Sequence, residues 1–312
     1  MLDFSNSKIL IVGDVMLDKY YFGKVDRISP EAPVPIVNIQ KEESRLGGAS
    51  NVANNIVSLG GHSLLCGVIG HDLFGKEIER ISRHKNIDTF LLKTSSPTIT
   101  KARIIGGKQQ IVRVDYEDKS ELNADNKKLF RDTISRILPE YDILVISDYG
   151  KGLISEDLCR YLIKLAHKYD KKVIIDPKGK NWEKYSGADI VTPNVKELSD
   201  IVGYTVPNTD RAIEKAAREA ITNNHLTALL VTRSDKGMSL IGPIPPIHIP
   251  TYSEEVFDVS GAGDTVVATL GLCLAAGFEI SEAMRTANIA AGIVVKKVGT
   301  ATLTIEELVQ QK

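Results

Sequence analysis

The sequence predicts a three-layer α/β/α domain on a mostly parallel central sheet, with a small second β-sheet projecting from it. Three observations predict this. Short β-branched runs alternate with helical patterns, the mark of parallel strands covered by helices on both faces. Asp14, Asp148, Asp176 and Asn194 each follow an apolar strand, and the carboxyl ends of strands are where an open sheet of this kind gathers its ligands. Two segments, about 20–39 and 98–116, break the alternation.

In chain order, Lys8 to Val12 is the first strand, an apolar run as burial on both faces requires. Segment 20–39 follows, rich in β-branched and aromatic residues with partial period-two patterning. Ala49 to Leu59 reads as helix, Leu64 to Ile69 as strand and Gly75 to His84 as helix, before the second break at 98–116. Asn126 to Leu138 is the next helix, then strand Ile143 to Ser147, helix Glu156 to Tyr169, and strands Lys172 to Ile175 and Asp189 to Thr192. Helix Asp210 to Asn223, strand Ala228 to Thr232, and helices Gly263 to Ala276 and Glu282 to Lys297 complete the pattern. Neither break owns enough residues for a core, so the two segments are expected to form a lid that folds over the ligand site or packs against a second copy. Residues 1–312 otherwise read as one domain, without repeat, low-complexity tract or flexible linker.

Composition narrows the function. The 312 residues carry 39 basic and 40 acidic side chains, a net charge of −1, which leaves no electrostatic footprint for nucleic acid or an anionic membrane. An apolar content of 43% suffices for a sizeable core, and no apolar run approaches the roughly 18 residues of a membrane span. Cys66, Cys159 and Cys273 are far apart and flanked by apolar residues, so they read as buried thiols in a reducing compartment. A cytoplasmic location is expected.

The most informative stretch is Asp258-Val-Ser-Gly-Ala-Gly-Asp264, followed by an apolar run to Phe278. Gly261 and Gly263 allow close backbone approach, and the N-H groups of Gly261, Ala262 and Gly263 at a helix mouth form an anion cradle. A carboxylate beside a bound phosphate is electrostatically wasteful unless it does chemistry, so Asp264 is the candidate general base. Taken alone, a Gly-x-Gly-Asp is better read as a helix cap.

Other stretches change that balance. Gly47-Gly48-Ala49-Ser50-Asn51-Val52-Ala53 and Asp258-Val-Ser-Gly-Ala-Gly-Asp264 resemble the two signatures of the ribokinase-like, or PfkB, carbohydrate kinases. Thr192-Pro193-Asn194-Val195-Lys196-Glu197 resembles that family's Asn-x-x-Glu motif, and Gly70-His71-Asp72-Leu73-Phe74-Gly75 its Gly-x-Asp-x-x-Gly turn. All four occur in the family's order along essentially the whole chain. Within the family, Gly13-Asp14-Val15-Met16-Leu17-Asp18, the string Arg27-Ile-Ser-Pro-Glu-Ala-Pro-Val-Pro35 and Ser147-Asp148-Tyr149-Gly150-Lys151-Gly152 are similar to the D-glycero-β-D-manno-heptose 7-phosphate kinases of lipopolysaccharide synthesis. The family often has Thr where this chain has Val259, so that side chain is not expected to be essential.

The resemblance implies ATP and Mg²⁺ as cofactors, leaves a monovalent-cation requirement open, and implies a phosphosugar substrate. It assigns Asp264 as base and Gly261, Ala262 and Gly263 as the transition-state cradle. Asn194, Val195, Lys196 and Glu197 fall at the nucleotide, with Asn194 and Glu197 ordering Mg²⁺ through water; an ordinary helix start is their alternative. Thr232, Arg233 and Gly237 match the adenosine-side turn and Asn288 an adenine-pocket residue, with helix packing as the rival for Asn288. Asp14 and Asp18 resemble sugar-hydroxyl ligands, Gly47 and Gly48 open the backbone to the sugar, and Asn51 adds a side-chain contact or caps its helix. For the substrate's own phosphate the cations Lys178, Lys151 beside Asp148, Lys101 and Arg103 are candidates, Lys178 first. A homodimer through the projecting sheet is expected. A kinase of fructose phosphate or ribose, and a silent sugar or nucleotide sensor, stay open as alternatives.

Overall fold

A computed structural model describes residues 2–252 and 256–311. Its strands are β1 (Lys8–Gly13), β2 (Val15–Ile28), β3 (Pro35–Gly48), β4 (His62–Gly70), β5 (Asp88–Thr94), β6 (Thr100–Gly106), β7 (Gln109–Tyr116), β8 (Ile143–Ser147), β9 (Lys172–Asp176), β10 (Ile190–Val191), β11 (Leu229–Thr232), β12 (Met238–Ile241) and β13 (Ile247–Ile249). The helices are α1 (Ala49–Ser58), α2 (Leu73–His84), α3 (Ala124–Ile137), α4 (Glu156–Lys168), α5 (Val195–Val202), α6 (Asp210–Asn224), α7 (Ala262–Ala275), α8 (Ile280–Val294) and α9 (Ile305–Val309).

The main sheet runs β13-β12-β11-β10-β9-β8-β1-β4-β5. From β11 through β5 every neighbouring pair is parallel, and only β12 and β13 run antiparallel. Alternate residues of the central strands enter two separate cores. Ile9, Ile11, Val145 and Ile174 pack with α1, α7 and α8 on one face, while Leu10, Val12, Leu144, Ile146, Val173 and Ile175 pack with α3, α4 and α6 on the other. Strands covered on both faces have no polar side to show, and so they read as unbroken apolar runs.

The projecting sheet has the order β3-β2-β6-β7. Its β2-β3 hairpin is longer than the expected 20–39 segment because pairing continues from Val15 opposite Gly48, right at the root of the main layer. β2 and β6 run parallel, from Leu17 opposite Thr100 to Gly23 opposite Gly106, so the two breaks in the sequence join edge to edge. The Gly-x-Asp-x-x-Gly turn sets the junction. Asp72 caps α2 by accepting from Gly75 N at 2.7 Å, and it also accepts from Thr98 N and Thr98 Oγ1, each at 2.7 Å.

Several boundaries shift from the sequence expectation. Strands β5, β12 and β13 are additions, because their short or half-exposed runs lack a buried strand's uniform apolar pattern. The strand expected from Asp189 to Thr192 pairs only at Ile190–Val191. The last long helix starts at Ile280 rather than Glu282 and ends at Val294 rather than Lys297. The helix expected from Gly75 starts at Leu73 because Asp72 caps it.

Gly13 closes β1 against β8, where a Cβ would stand 2.2 Å from the Ser147 carbonyl oxygen and 2.9 Å from Ala49 Cβ. Backbone on one side and a packed helix on the other cannot both yield. Gly13→Ala is expected to lower unfolding free energy by about 1–3 kcal/mol or more, measured by denaturant titration, whereas Gly263→Ala, with open space around its Cβ position, should not clash.

Candidate active site

Residues from many segments of the chain converge at the carboxyl edge of the main sheet. Gly261 takes a left-handed conformation, φ 78°, and turns the chain into α7, which places Asp264 in the helix's first turn. Asp258 braces this turn through its carboxylate, accepting from Ser260 N at 2.9 Å and Gly299 N at 2.8 Å. Of the three N-H donors expected in the cradle, Ala262 N is already bonded to Val259 O at 3.2 Å. A Cβ on Gly261 would also meet Asn51 Nδ2 at 2.7 Å, so glycine is required there on both counts.

Asp264 is 3% exposed. Its Oδ2 accepts from Asn51 Nδ2 at 2.7 Å and its Oδ1 from the Tyr149 hydroxyl at 2.7 Å. Burial lifts the carboxyl to about 6, against the two hydrogen bonds, which favour the charged form. Asn51 is itself held, since Asn55 Nδ2 donates to its carbonyl at 2.9 Å and Thr265 Oγ1 donates to Asn55 Oδ1 at 3.0 Å. The helix-cap alternative for Asn51 is therefore corrected: α1 is capped by Gly48 with no side-chain bond, and the Asn51 amide reaches across to α7 instead.

Asp14 is 2% exposed, with Oδ2 accepting from Tyr149 N at 2.8 Å and Lys151 N at 3.1 Å, while Oδ1 is buried without a partner. Burial and then the Asp148 charge raise it to about 6. Asp148 accepts from Gly150 N at 2.7 Å and the Tyr185 hydroxyl at 2.7 Å, and pairs with Lys184. Asp176, at the end of β9, is pushed well above the usual carboxylate range by burial and then by the charges of Asp264 and Glu197. Asp18 is buried on β2 and pairs with Arg103 of β6 at 2.6 Å. Gly47 packs on it so closely that a Cβ would stand 2.6 Å from Asp18 Oδ2.

The candidate phosphate-binding cations divide. Lys101 lies 5.6 Å from the Tyr149 ring centroid, and burial holds its pKa below the ordinary lysine value. Arg103 stacks 5.1 Å over Tyr20, and Lys151 pairs with Glu117. Lys178, expected first, pairs instead with Glu197 at 2.9 Å, on the nucleotide side of the predicted map.

Asn194 and Glu197 form a full capping box on α5: Asn194 Oδ1 accepts from Glu197 N at 2.8 Å and Glu197 Oε2 from Asn194 N at 3.1 Å. Thr232 N donates to Pro193 O at 2.9 Å, which brings the Val195-Lys196 turn beside the Thr232–Gly237 turn. Arg233 is 3% exposed and spent on Asn208, Asp210 and Ser239, so it braces that turn. Gly237, φ 77°, could carry no Cβ, which would lie 2.0 Å from Ile249 O. Asn288 Nδ2 donates to Pro250 O at 2.7 Å. Among the described residues no cluster of three His, Cys, Asp or Glu could hold a metal, and no helix is long and apolar enough to cross a membrane.

Tyr149 was not singled out by sequence reasoning. Its signal was present in the Ser147–Gly152 run, but nothing in a linear pattern shows that this hydroxyl ends on Asp264.

The chain is 46% identical over 308 residues to the bifunctional protein HldE of Haemophilus influenzae (strain PittEE), covering 98% of this chain and 63% of that protein. It is 45% identical over 310 residues to the HldE of Vibrio vulnificus, covering 99% and 64%. The chain thus spans just under two thirds of these relatives' length. Phosphofructokinase-2 from Escherichia coli in complex with potassium superposes with a TM-score of 0.80 at 20% identity over 97% of both chains. Ribokinase of Arabidopsis thaliana, complexed with ribose and ATP, superposes at 0.76 with 19% identity over 98% of both. The family model for pfkB family carbohydrate kinases matches residues 6–307, which takes in both sheets and α1 through α8, and the chain belongs to that family.

Proposed function

We propose that this chain phosphorylates D-glycero-β-D-manno-heptose 7-phosphate at the C1 hydroxyl, with ATP as donor, giving the 1,7-bisphosphate used in ADP-heptose and lipopolysaccharide core synthesis. The observation that carries the reading is Asp264, a buried carboxylate with a pKa raised to about 6 at the mouth of α7, beside Asp18, Gly47 and the cations of the projecting sheet. The heptose choice rests on the Arg27–Pro35 string and the Ser147–Gly152 loop, and the 46% identity to HldE supports it.

In this mechanism Asp264 accepts the proton of the C1 hydroxyl as that oxygen bonds the γ-phosphorus, and the bond from phosphorus to the β,γ-bridging oxygen breaks to release ADP. The free N-H groups at the start of α7 face the charge on the transferring group. Asp18 and the backbone at Gly47 and Gly48 hold the sugar, with Asp14 Oδ1 available to a further hydroxyl. Lys101, Arg103 and Lys151 are the cations this reading gives to the 7-phosphate, and Lys178 serves the nucleotide side through Glu197.

Asn194 and Glu197 offer the hard oxygen donors that suit Mg²⁺, and both are engaged in the capping box, which favours contact through water. The ion, when bound, neutralises phosphate charge. Monovalent-cation dependence belongs to the same proposal, prompted by the potassium complex of the E. coli neighbour. Three buried thiols support a cytoplasmic enzyme. Ile111, Val112, Val114 and Tyr116 of β7 and Val25 and Ile39 of the hairpin are exposed, which supports a homodimer formed through the projecting sheets.

Asp264→Asn keeps the side chain's size, replaces one accepting oxygen by a donating amide and removes the proton acceptor, so turnover should fall by about 10² or more with nucleotide binding kept. For the wild type, the base must be ionised, so kcat/KM should decline as pH drops through about 6. Near-normal turnover of a folded Asp264→Asn variant removes Asp264 from the mechanism.

Sedimentation or light scattering at micromolar protein should give twice the 34.2 kDa chain mass; a monomer contradicts the sheet-to-sheet dimer.

A phosphotransfer screen tests the substrate. The unphosphorylated heptose should lose about 2–5 kcal/mol of transition-state stabilisation when its charge-assisted contact is absent. Hexose phosphates should also fare badly, because a shorter sugar cannot reach Asp264 and the cations together. Higher kcat/KM with fructose 6-phosphate or ribose overturns the heptose assignment and leaves the kinase intact.

A further inference from the structure

Asp264 is gripped by side chains that belong to neither its own helix nor each other's segment. Asn51 reaches Oδ2 from α1, and Tyr149 reaches Oδ1 from the loop after β8. That loop is fastened by two other buried carboxylates. Asp14 Oδ2 accepts the N-H groups of Tyr149 and Lys151 at 2.8 and 3.1 Å, and Asp148 Oδ1 accepts that of Gly150 at 2.7 Å. Asp148 is in turn fixed by Lys184 and by the Tyr185 hydroxyl. A tyrosine at the tip of a loop does not need three backbone anchors merely to fill space.

We propose that Tyr149 is a positioning residue for phosphoryl transfer: its hydroxyl fixes the orientation of the Asp264 carboxylate and stabilises its charged form, and Asp14 and Asp148 anchor the loop that delivers it. This rests on the reading of Asp264 as the base. The contact leaves the base usable, since a carboxylate oxygen has two lone-pair sites and Tyr149 and Asn51 each take one on a different oxygen. Tyr149 remains a donor throughout the neutral range, because burial and the Asp264 charge push its own pKa well above that of a free phenol. The other charges facing Asp264 are Asp18 from β2 and Asp176 from β9, which disfavour its anion, and Lys101 from β6, which favours it. Burial outweighs them all, and the two hydrogen bonds oppose burial directly.

The test is a carboxyl titration on the full chain without ligand, using ¹³C-labelled aspartate and assigning the Asp264 resonance by its loss in Asp264→Asn. The wild-type midpoint is expected at about 6. Tyr149→Phe, which keeps the ring and removes one hydrogen bond to the anion, should move that midpoint up by about one unit. The acid limb of kcat/KM should move up with it, and kcat should fall by more than KM rises. Asp14→Ala, which frees the two loop amides but keeps the hydroxyl, should shift the midpoint the same way by less. An unmoved midpoint in both variants overturns the inference by itself. A shifted midpoint with an unmoved acid limb overturns instead the assignment of Asp264 as base, because the carboxylate would then have been retuned without consequence for turnover.

Discussion

The structure depends on keeping one carboxylate, that of Asp264, out of water and still able to carry charge. Burial alone favours the neutral acid, and a neutral acid accepts no proton. Two hydrogen bonds from separate segments oppose that drift and hold the group at about 6. Much of the remaining architecture serves those bonds: Gly261 clears room for the Asn51 amide, Thr265 and Asn55 hold Asn51, and Asp14 and Asp148 hold the Tyr149 loop.

This arrangement gathers Asp14, Asp148, Asp176 and Asp264 at one sheet edge, a concentration of like charge that opposes folding. Asp14 and Asp264 both stand at about 6, above their ordinary value. A carboxylate raised in this way contributes its stability as the neutral form, below its unfolded pKa, and that contribution is lost as pH rises through the folded value. At these two residues the charged form and maximal stability therefore pull in opposite directions. The two doubly covered cores of the parallel sheet supply the stability against which this is set.

Several of the sequence motifs are built into the fold through their own side chains. Asn194 and Glu197 close a capping box at the start of α5, and Glu197 also pairs with Lys178. Asp72 caps α2 and ties it to Thr98, two residues before β6 of the projecting sheet. Arg233 braces the Thr232–Gly237 turn from within. In each case a side-chain hydrogen bond stabilises a local turn and ties it to its neighbour in the fold.

By itself the sequence determined the mostly parallel sheet, the alternation of its central strands with the long helices, the glycine turn at α7 and the polar residues that end the strands, because each depends on local periodicity or on neighbours within a few positions. The short strands β5, β12 and β13 escaped it, since their pairing is set by what lies beside them rather than by their own pattern. Only the tertiary structure decided that Lys178 pairs with Glu197, that Asn51 leaves its own helix to bond Asp264 and that Tyr149 does the same from 115 positions away. Those contacts join segments far apart in the chain, and the choice of partner follows from where the sheet edge brings side chains together, which no linear spacing encodes.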